Sequence, residues 1–87
     1  MDKVWSDKAW DDYQYWQKED KKILRKINAL LKECERTPSE GTGKPESLKH
    51  IPGSYWSRRI TDKHRLVYKV EADQLKIASC RDHYGDK

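Results

Sequence analysis

The sequence predicts an α+β fold: two N-terminal helices packed on one face of a small, twisted antiparallel sheet. Three observations predict it. Apolar residues of the first 36 positions recur at helical spacing, those from Tyr55 onward alternate, and a Pro- and Gly-rich stretch separates the two regimes. At 87 residues the chain has the length of one domain. A segregated order of helices followed by strands favours an antiparallel sheet covered on one face, with the other left for a ligand.

Lys3, Val4 and Trp5 can form a short opening strand. Ser6 followed by Asp7 has the form of a helix N-cap with a favourable acidic first turn, so a first helix is expected from about Asp7 to Lys18. Trp10, Tyr13 and Trp16, with Tyr15 beside them, form an aromatic stripe suited to packing, in the core or across a dimer surface. Asp20 can cap a second helix reaching about Arg36. There Ile23, Leu24, Ile27, Leu30, Leu31 and Cys34 fall at offsets 0, 1, 4, 7, 8 and 11, the strongest periodic signal in the chain. Lys21, Lys22, Arg25, Lys26 and Lys32 on its other face are most simply solvated.

From Thr37 to about Ser54 the pattern breaks into a long loop punctuated by Pro38, Gly41, Gly43, Pro45, Pro52 and Gly53. Long structured loops in small domains are usually functional. Tyr55–Ile60, Arg65–Val70 and Leu75–Arg81 then read as three strands joined by turns at Thr61–Lys63 and Ala72–Asp73. Alternation sets Leu66, Tyr68 and Val70 on one face and Arg65, Val67 and Lys69 on the other.

Four Trp and five Tyr with no Phe suit a small core whose aromatics keep a polar handle. The net charge of +4 is unevenly spread. Residues 1–36 carry nine Lys/Arg against eight Asp/Glu, whereas residues 44–69 carry seven against two, a local excess of +5 that points to a polyanion partner. No stretch approaches the ~20 apolar residues of a membrane span and the first residues do not resemble a signal peptide, so a soluble, cytoplasmic protein is expected. Cys34 and Cys80 form no CxxC and fall on apolar faces, as expected of buried reduced thiols.

The last half of the chain also holds the residue types that metal-free RNA cleavage needs. A carboxylate can take the proton from a ribose 2′-hydroxyl, cationic groups can hold a phosphate as charge builds on it, and an imidazole can protonate the departing oxygen. Glu46, between Lys44 and Lys49, is the candidate base. Arg59 and Arg65, on neighbouring strands, are the candidate phosphate clamp, with Lys44, Lys49 and Arg58 as further phosphate-binding cations from the same basic cluster. His83, next to Tyr84 just beyond the last strand, is the candidate acid. Taken singly each of these is an ordinary surface residue, and a basic binding module with no catalysis fits the same composition. Zinc is disfavoured because His50, His64 and His83 lack ligand spacing and an accompanying Cys pair. The GTGK run lacks the spacing of a phosphate loop, and Pro45 blocks the helix such a loop feeds.

The segments VWSDKAWDDYQYWQ, GTGKPESLKH, YWSRRITDKHRLVYKV and CRDHY together resemble the YoeB family of bacterial type II toxins, within the RelE/ParE superfamily. The resemblance spans about residues 2–84. It implies a microbial-ribonuclease-like fold, ribosome-dependent cleavage of mRNA in the A site without a cofactor or metal, and neutralisation by a cognate YefM-like antitoxin, with a homodimer as a further expectation. Residue by residue, it gives Glu46 the role of general base and Arg65 that of phosphate-stabilising arginine. His83 and Tyr84 become the C-terminal pair that supplies the acid and positions the scissile nucleotide, with Lys49 and Arg59 as supporting cations. Members commonly end at the His-Tyr pair, whereas this chain continues with Gly85, Asp86 and Lys87. A superfamily toxin acting on a protein target and a ribosome-independent RNase are the alternatives.

Overall fold

The computed structural model describes residues 1–82. In chain order these form β1 (Asp2–Trp5), α1 (Asp7–Glu19), α2 (Lys21–Arg36), β2 (Glu46–Ser47), β3 (Trp56–Arg59), β4 (Arg65–Glu71) and β5 (Gln74–Ser79). The caps are where the sequence indicates. The Ser6 hydroxyl accepts from Ala9 N at 3.0 Å, and the Asp20 carboxylate accepts from Lys22 N and Ile23 N at 3.0 and 3.2 Å. The Asp20 amide also donates to Trp16 O, so one residue closes α1 and opens α2. Such capping satisfies amides that a helix start leaves unpaired.

The five strands lie in the order β1-β5-β4-β3-β2. All neighbours are antiparallel except β1, which pairs parallel with β5, from Asp2 opposite Gln74 to Trp5 opposite Ile77. The sheet is therefore mixed rather than wholly antiparallel. Alternation along a strand reports which face each side chain takes but not the direction of its partner, and a parallel partner needs only a long crossover, which the intervening chain supplies. The expected loop also contains a strand, β2, whose two residues add to β3.

The core fills the side of the sheet that carries the helices. Leu66, Tyr68, Leu75 and Ile77 meet Ala9 and Trp16 of α1 and Ile27, Leu30, Leu31 and Cys34 of α2, all of them buried. Val70 shares the parity of Leu66 and Tyr68 but is exposed, because β3 ends opposite Tyr68 and leaves Val70 with no neighbour on that side. The aromatic stripe divides: Trp16 is 5% exposed, while Trp10 is 45% exposed and stacks on Tyr13, with Trp5 edge-on to it. Cys34 and Cys80 are buried free thiols. Burial pushes them up to about 11 and about 12, respectively.

The end of β5 is held firmly. Between Val67 opposite Ser79 and Tyr68 opposite Ile77 the register slips by one residue, and the Ser6 hydroxyl donates to the Ala78 carbonyl at that point at 2.7 Å. Beyond the bulge, Cys80 N donates to the buried Asp12 carboxylate at 3.0 Å, and its carbonyl accepts from Trp16 Nε1 at 2.8 Å. Bulges re-aim a strand, and here two side chains of α1 fix where it goes. Among the described residues no helix is long and apolar enough to cross a membrane.

Candidate active site

The face of the sheet away from the helices carries Glu46, Arg59 and Arg65. In the β2–β3 pair Glu46 stands opposite Ser57, and in the β3–β4 pair Arg59 stands opposite Arg65 and Ser57 opposite Val67. Residues opposite one another share a face, as do residues two apart on one strand. Glu46, Ser57, Arg59 and Arg65 therefore project to the same side, the carboxylate row and the arginine row about 7 Å apart along the strands. Together with Gly43, Lys44 and Pro45 they line a cleft of ≈ 420 Å³. A second depression of ≈ 370 Å³ shares Gly43, Lys44 and Arg59 with it and adds Lys26 from α2, so the positive lining continues off the sheet.

Local backbone chemistry explains how the loop delivers Lys44 and Glu46 to this face. Arg59 N donates to Gly43 O at 2.7 Å, which lays the loop against the end of β3. Gly43 has φ +88, and a Cβ there would stand 3.0 Å from Arg59 O, so both conformation and space require glycine. Lys44 follows at φ 51, a left-handed conformation unusual for a non-glycine residue and held here by the contacts on either side. Past β2, the buried Leu48 pins the loop again through its amide, which donates to Tyr55 O at 2.9 Å. The Arg65 guanidinium is preset by the β3–β4 turn. Its Nη1 donates to Thr61 O at 2.8 Å, Asp62 O at 3.1 Å and His64 O at 3.2 Å.

Arg58 does not belong to this set. Although it was expected among the phosphate-binding cations, it is fully buried on the helix-facing side of β3. Its Nε donates to Tyr68 Oη at 3.0 Å, Nη1 to Glu33 Oε1 at 2.5 Å and Thr42 O at 3.2 Å, and Nη2 to Glu40 O at 2.8 Å and to Thr37 O. Tyr68 in turn donates to Pro38 O at 2.5 Å. The physical reason is parity: adjacent strand residues face opposite ways, so one arginine of the pair had to point inward. There it organises a loop that has almost no apolar residues of its own. Glu33 completes the arrangement, its carboxyl held below the ordinary range first by the Thr42 amide and then by the Thr42 hydroxyl and Arg58.

The remaining candidates fall in three places. Lys44 lines both depressions. Lys49 is exposed in the turn after β2 and is not among the residues lining the cleft. His83 and Tyr84 lie outside the described residues. Ser57 was missed by sequence reasoning and could have been found from its parity with Arg59; Lys26 is in the sequence only one cation of a mostly solvated helix face that RNA or a partner could use. Among the described residues no three His, Cys, Asp or Glu side chains gather to hold a metal ion. The cleft combines two arginines, which can accept an anion, with the carboxylate of Glu46.

Residues 5–84 match the family described as "YoeB-like toxin of bacterial type II toxin-antitoxin system". The chain is 60% identical over 84 residues to the toxin YoeB of Escherichia coli K12, covering 97% of this chain and 100% of that one. To the toxin YoeB of Streptomyces coelicolor it is 50% identical over 76 residues, 87% of this chain and 90% of the other. Among solved structures, a YoeB/ParE toxin from Agrobacterium tumefaciens superposes with TM-score 0.92 at 48% identity, covering 97% of this chain and 100% of that one. The toxin in a heterotetrameric YoeB-YefM complex from Staphylococcus aureus gives 0.87 at 49% identity over 97% and 98% of the two chains.

Proposed function

This chain belongs to the YoeB-like toxins of bacterial type II toxin–antitoxin systems, and from that premise we propose that it is a ribosome-dependent endoribonuclease that cuts mRNA in the A site. The observation that carries the proposal is the convergence of Glu46, Arg59 and Arg65 on one cleft of the open sheet face. Glu46 takes the proton of the ribose 2′-hydroxyl, which attacks the adjacent phosphorus. Arg65, its fork oriented by three carbonyls, receives the charge that develops on the phosphoryl oxygens, and Arg59 and Lys44 neutralise the flanking phosphate. Lys49, exposed in the turn after β2, is a further cation for the RNA. His83 returns a proton to the departing 5′-oxygen and Tyr84 positions the scissile nucleotide, leaving a 2′,3′-cyclic phosphate end. No step requires a cofactor.

The partner follows from the same premise. A YoeB from Staphylococcus aureus has been solved as a dimer and in complex with YefM, and this chain is expected to pair with a YefM-like antitoxin and with itself. A cleft lined by Lys44, Arg59 and Arg65 suits an acidic segment that neutralises the cations the phosphate would otherwise meet. The deciding experiment compares mRNA on programmed ribosomes with the same RNA alone, using the wild-type chain and Glu46→Gln. Cleavage confined to ribosome-bound mRNA and lowered ~10²-fold or more in Glu46→Gln, with ribosome affinity retained, is the expected outcome. Equal cutting of naked RNA would point to a ribosome-independent RNase, and no cutting at all to a toxin with a different target.

A further inference from the structure

His64 has no part in the mechanism above, yet it sits at the join between the site and the chain end. It immediately precedes Arg65, and its Nδ1 accepts a hydrogen bond from Asp82 N at 2.7 Å. The neighbouring contact runs the other way, with Arg65 N donating to Asp82 O at 3.0 Å. Asp82 lies past the end of β5, outside the regular ladder, and has φ 68. A non-glycine residue keeps a left-handed conformation only when its surroundings over-determine it, and here both its backbone polar groups are held by residues 64 and 65.

The imidazole is itself fixed. Its ring meets Trp16 edge-on with centroids 4.8 Å apart, and the His64 amide donates to Thr61 Oγ1 at 3.0 Å. Trp16 is the same side chain that holds the Cys80 carbonyl. One indole and one imidazole in contact thus grip the chain at Cys80 and at Asp82. Acceptance at Nδ1 requires the neutral ring with its proton on Nε2.

We infer that His64 is a positioning residue: by holding the Asp82 amide it fixes the backbone at the residue that immediately precedes His83 and Tyr84 in the sequence. The inference rests on the proposed roles of those two residues. Its chemical basis is that in-line attack tolerates little displacement of the acid, a misplacement of about 1 Å costing on the order of 10²-fold in rate. His64 is thereby linked to rate rather than to substrate binding.

The test uses the full chain and two substitutions. In His64→Asn the side-chain oxygen stands near the place of Nδ1 and can still accept from Asp82 N; in His64→Leu an apolar group packs on Trp16 but accepts nothing. Two readouts are taken on each: hydrogen exchange at the Asp82 amide, and single-turnover cleavage of mRNA on programmed ribosomes. The expected result for His64→Leu is fast Asp82 exchange and cleavage slowed by about tenfold or more at unchanged ribosome affinity. His64→Asn should keep slow exchange and stay within about threefold of wild type. Unchanged Asp82 exchange in His64→Leu would overturn the clamp itself. Fast exchange with an unchanged cleavage rate would overturn its role in positioning, as would equal slowing in both variants. A wild-type chain that cuts no RNA would instead overturn the catalytic roles on which the inference depends, whatever the exchange data show.

Discussion

Arg58 and Arg59 are adjacent, carry the same charge and should fail in opposite ways. Replacing Arg58 by Met keeps much of the buried volume but removes the one guanidinium that meets Glu33, Tyr68 and the carbonyls of Thr37, Glu40 and Thr42. A buried polar group left unpaired costs about 1–3 kcal/mol. Glu33 is partly exposed and keeps its bonds to the Thr42 amide and hydroxyl, Tyr68 keeps its bond to Pro38 O, and the loop can shift some carbonyls toward water, so about 1–3 kcal/mol is the expected loss for Arg58→Met. That is an appreciable share of the ~5–15 kcal/mol stability of an ordinary domain. With a urea slope of roughly 1–2 kcal/mol per molar, the unfolding midpoint should fall by about 0.5–3 M. Arg59→Met should move it within the range of about ±0.5 kcal/mol typical of surface changes, while weakening RNA cleavage. Tryptophan fluorescence in urea reads the first quantity, since Trp16 is buried, and cleavage of ribosome-bound mRNA reads the second. A stability loss below about 1 kcal/mol for Arg58→Met would mean that the loop is held by something other than this arginine.

Other expectations follow from particular contacts. Gly43→Ala forces a Cβ to 3.0 Å of Arg59 O at φ +88 and should cost about 1–3 kcal/mol while lowering cleavage, both measurable on the same preparation. Burial holds His64 below the ordinary imidazole value, with Lys63 and Arg81 adding to the effect and Asp82 and Asp12 opposing it. The neutral ring is the folded form, so this contribution is present above the unfolded value of about 6.5 and is lost as pH falls through the lower folded value; His64→Asn should flatten the fall of a urea-midpoint profile on the acid side of about pH 6.5. Cys34 and Cys80, pushed up to about 11 and about 12 by burial, should resist thiol reagents in the native protein and react in step with unfolding across a urea series. Rapid modification without denaturant would contradict their burial.

Much of this fold was legible because it is written in periodicity. The offsets from Ile23 to Cys34 define the buried side of α2, of which Ile27, Leu30, Leu31 and Cys34 are fully enclosed, and Ser6 and Asp20 mark both helix starts. What periodicity does not carry is partnership. Nothing in Lys3-Val4-Trp5 says that β1 runs parallel to β5, and two residues are too few for Glu46–Ser47 to announce a strand. The candidate site was legible in its residue types and in Arg59 and Arg65 sharing one face. Arg58 was misjudged because net charge was counted where parity should have decided, the same alternation that separates Arg65 from Leu66. The grip of His64 on Asp82 joins positions 18 apart through a side chain and a backbone amide, and no local pattern encodes such a pair.

The position of β5 between β1 and β4 has a bearing on synthesis. Residues 74–79 leave the ribosome after both of the strands they join, so β1 waits through α1, α2 and the rest of the sheet before it has anything to pair with. Until then the helices lack Leu75 and Ile77 beneath them, and Cys80 has not reached Asp12 and Trp16. Closing such a long-range pair is slow and cannot begin early. A nascent chain of this kind therefore completes its sheet and the core beneath its helices only after β5 has been extruded.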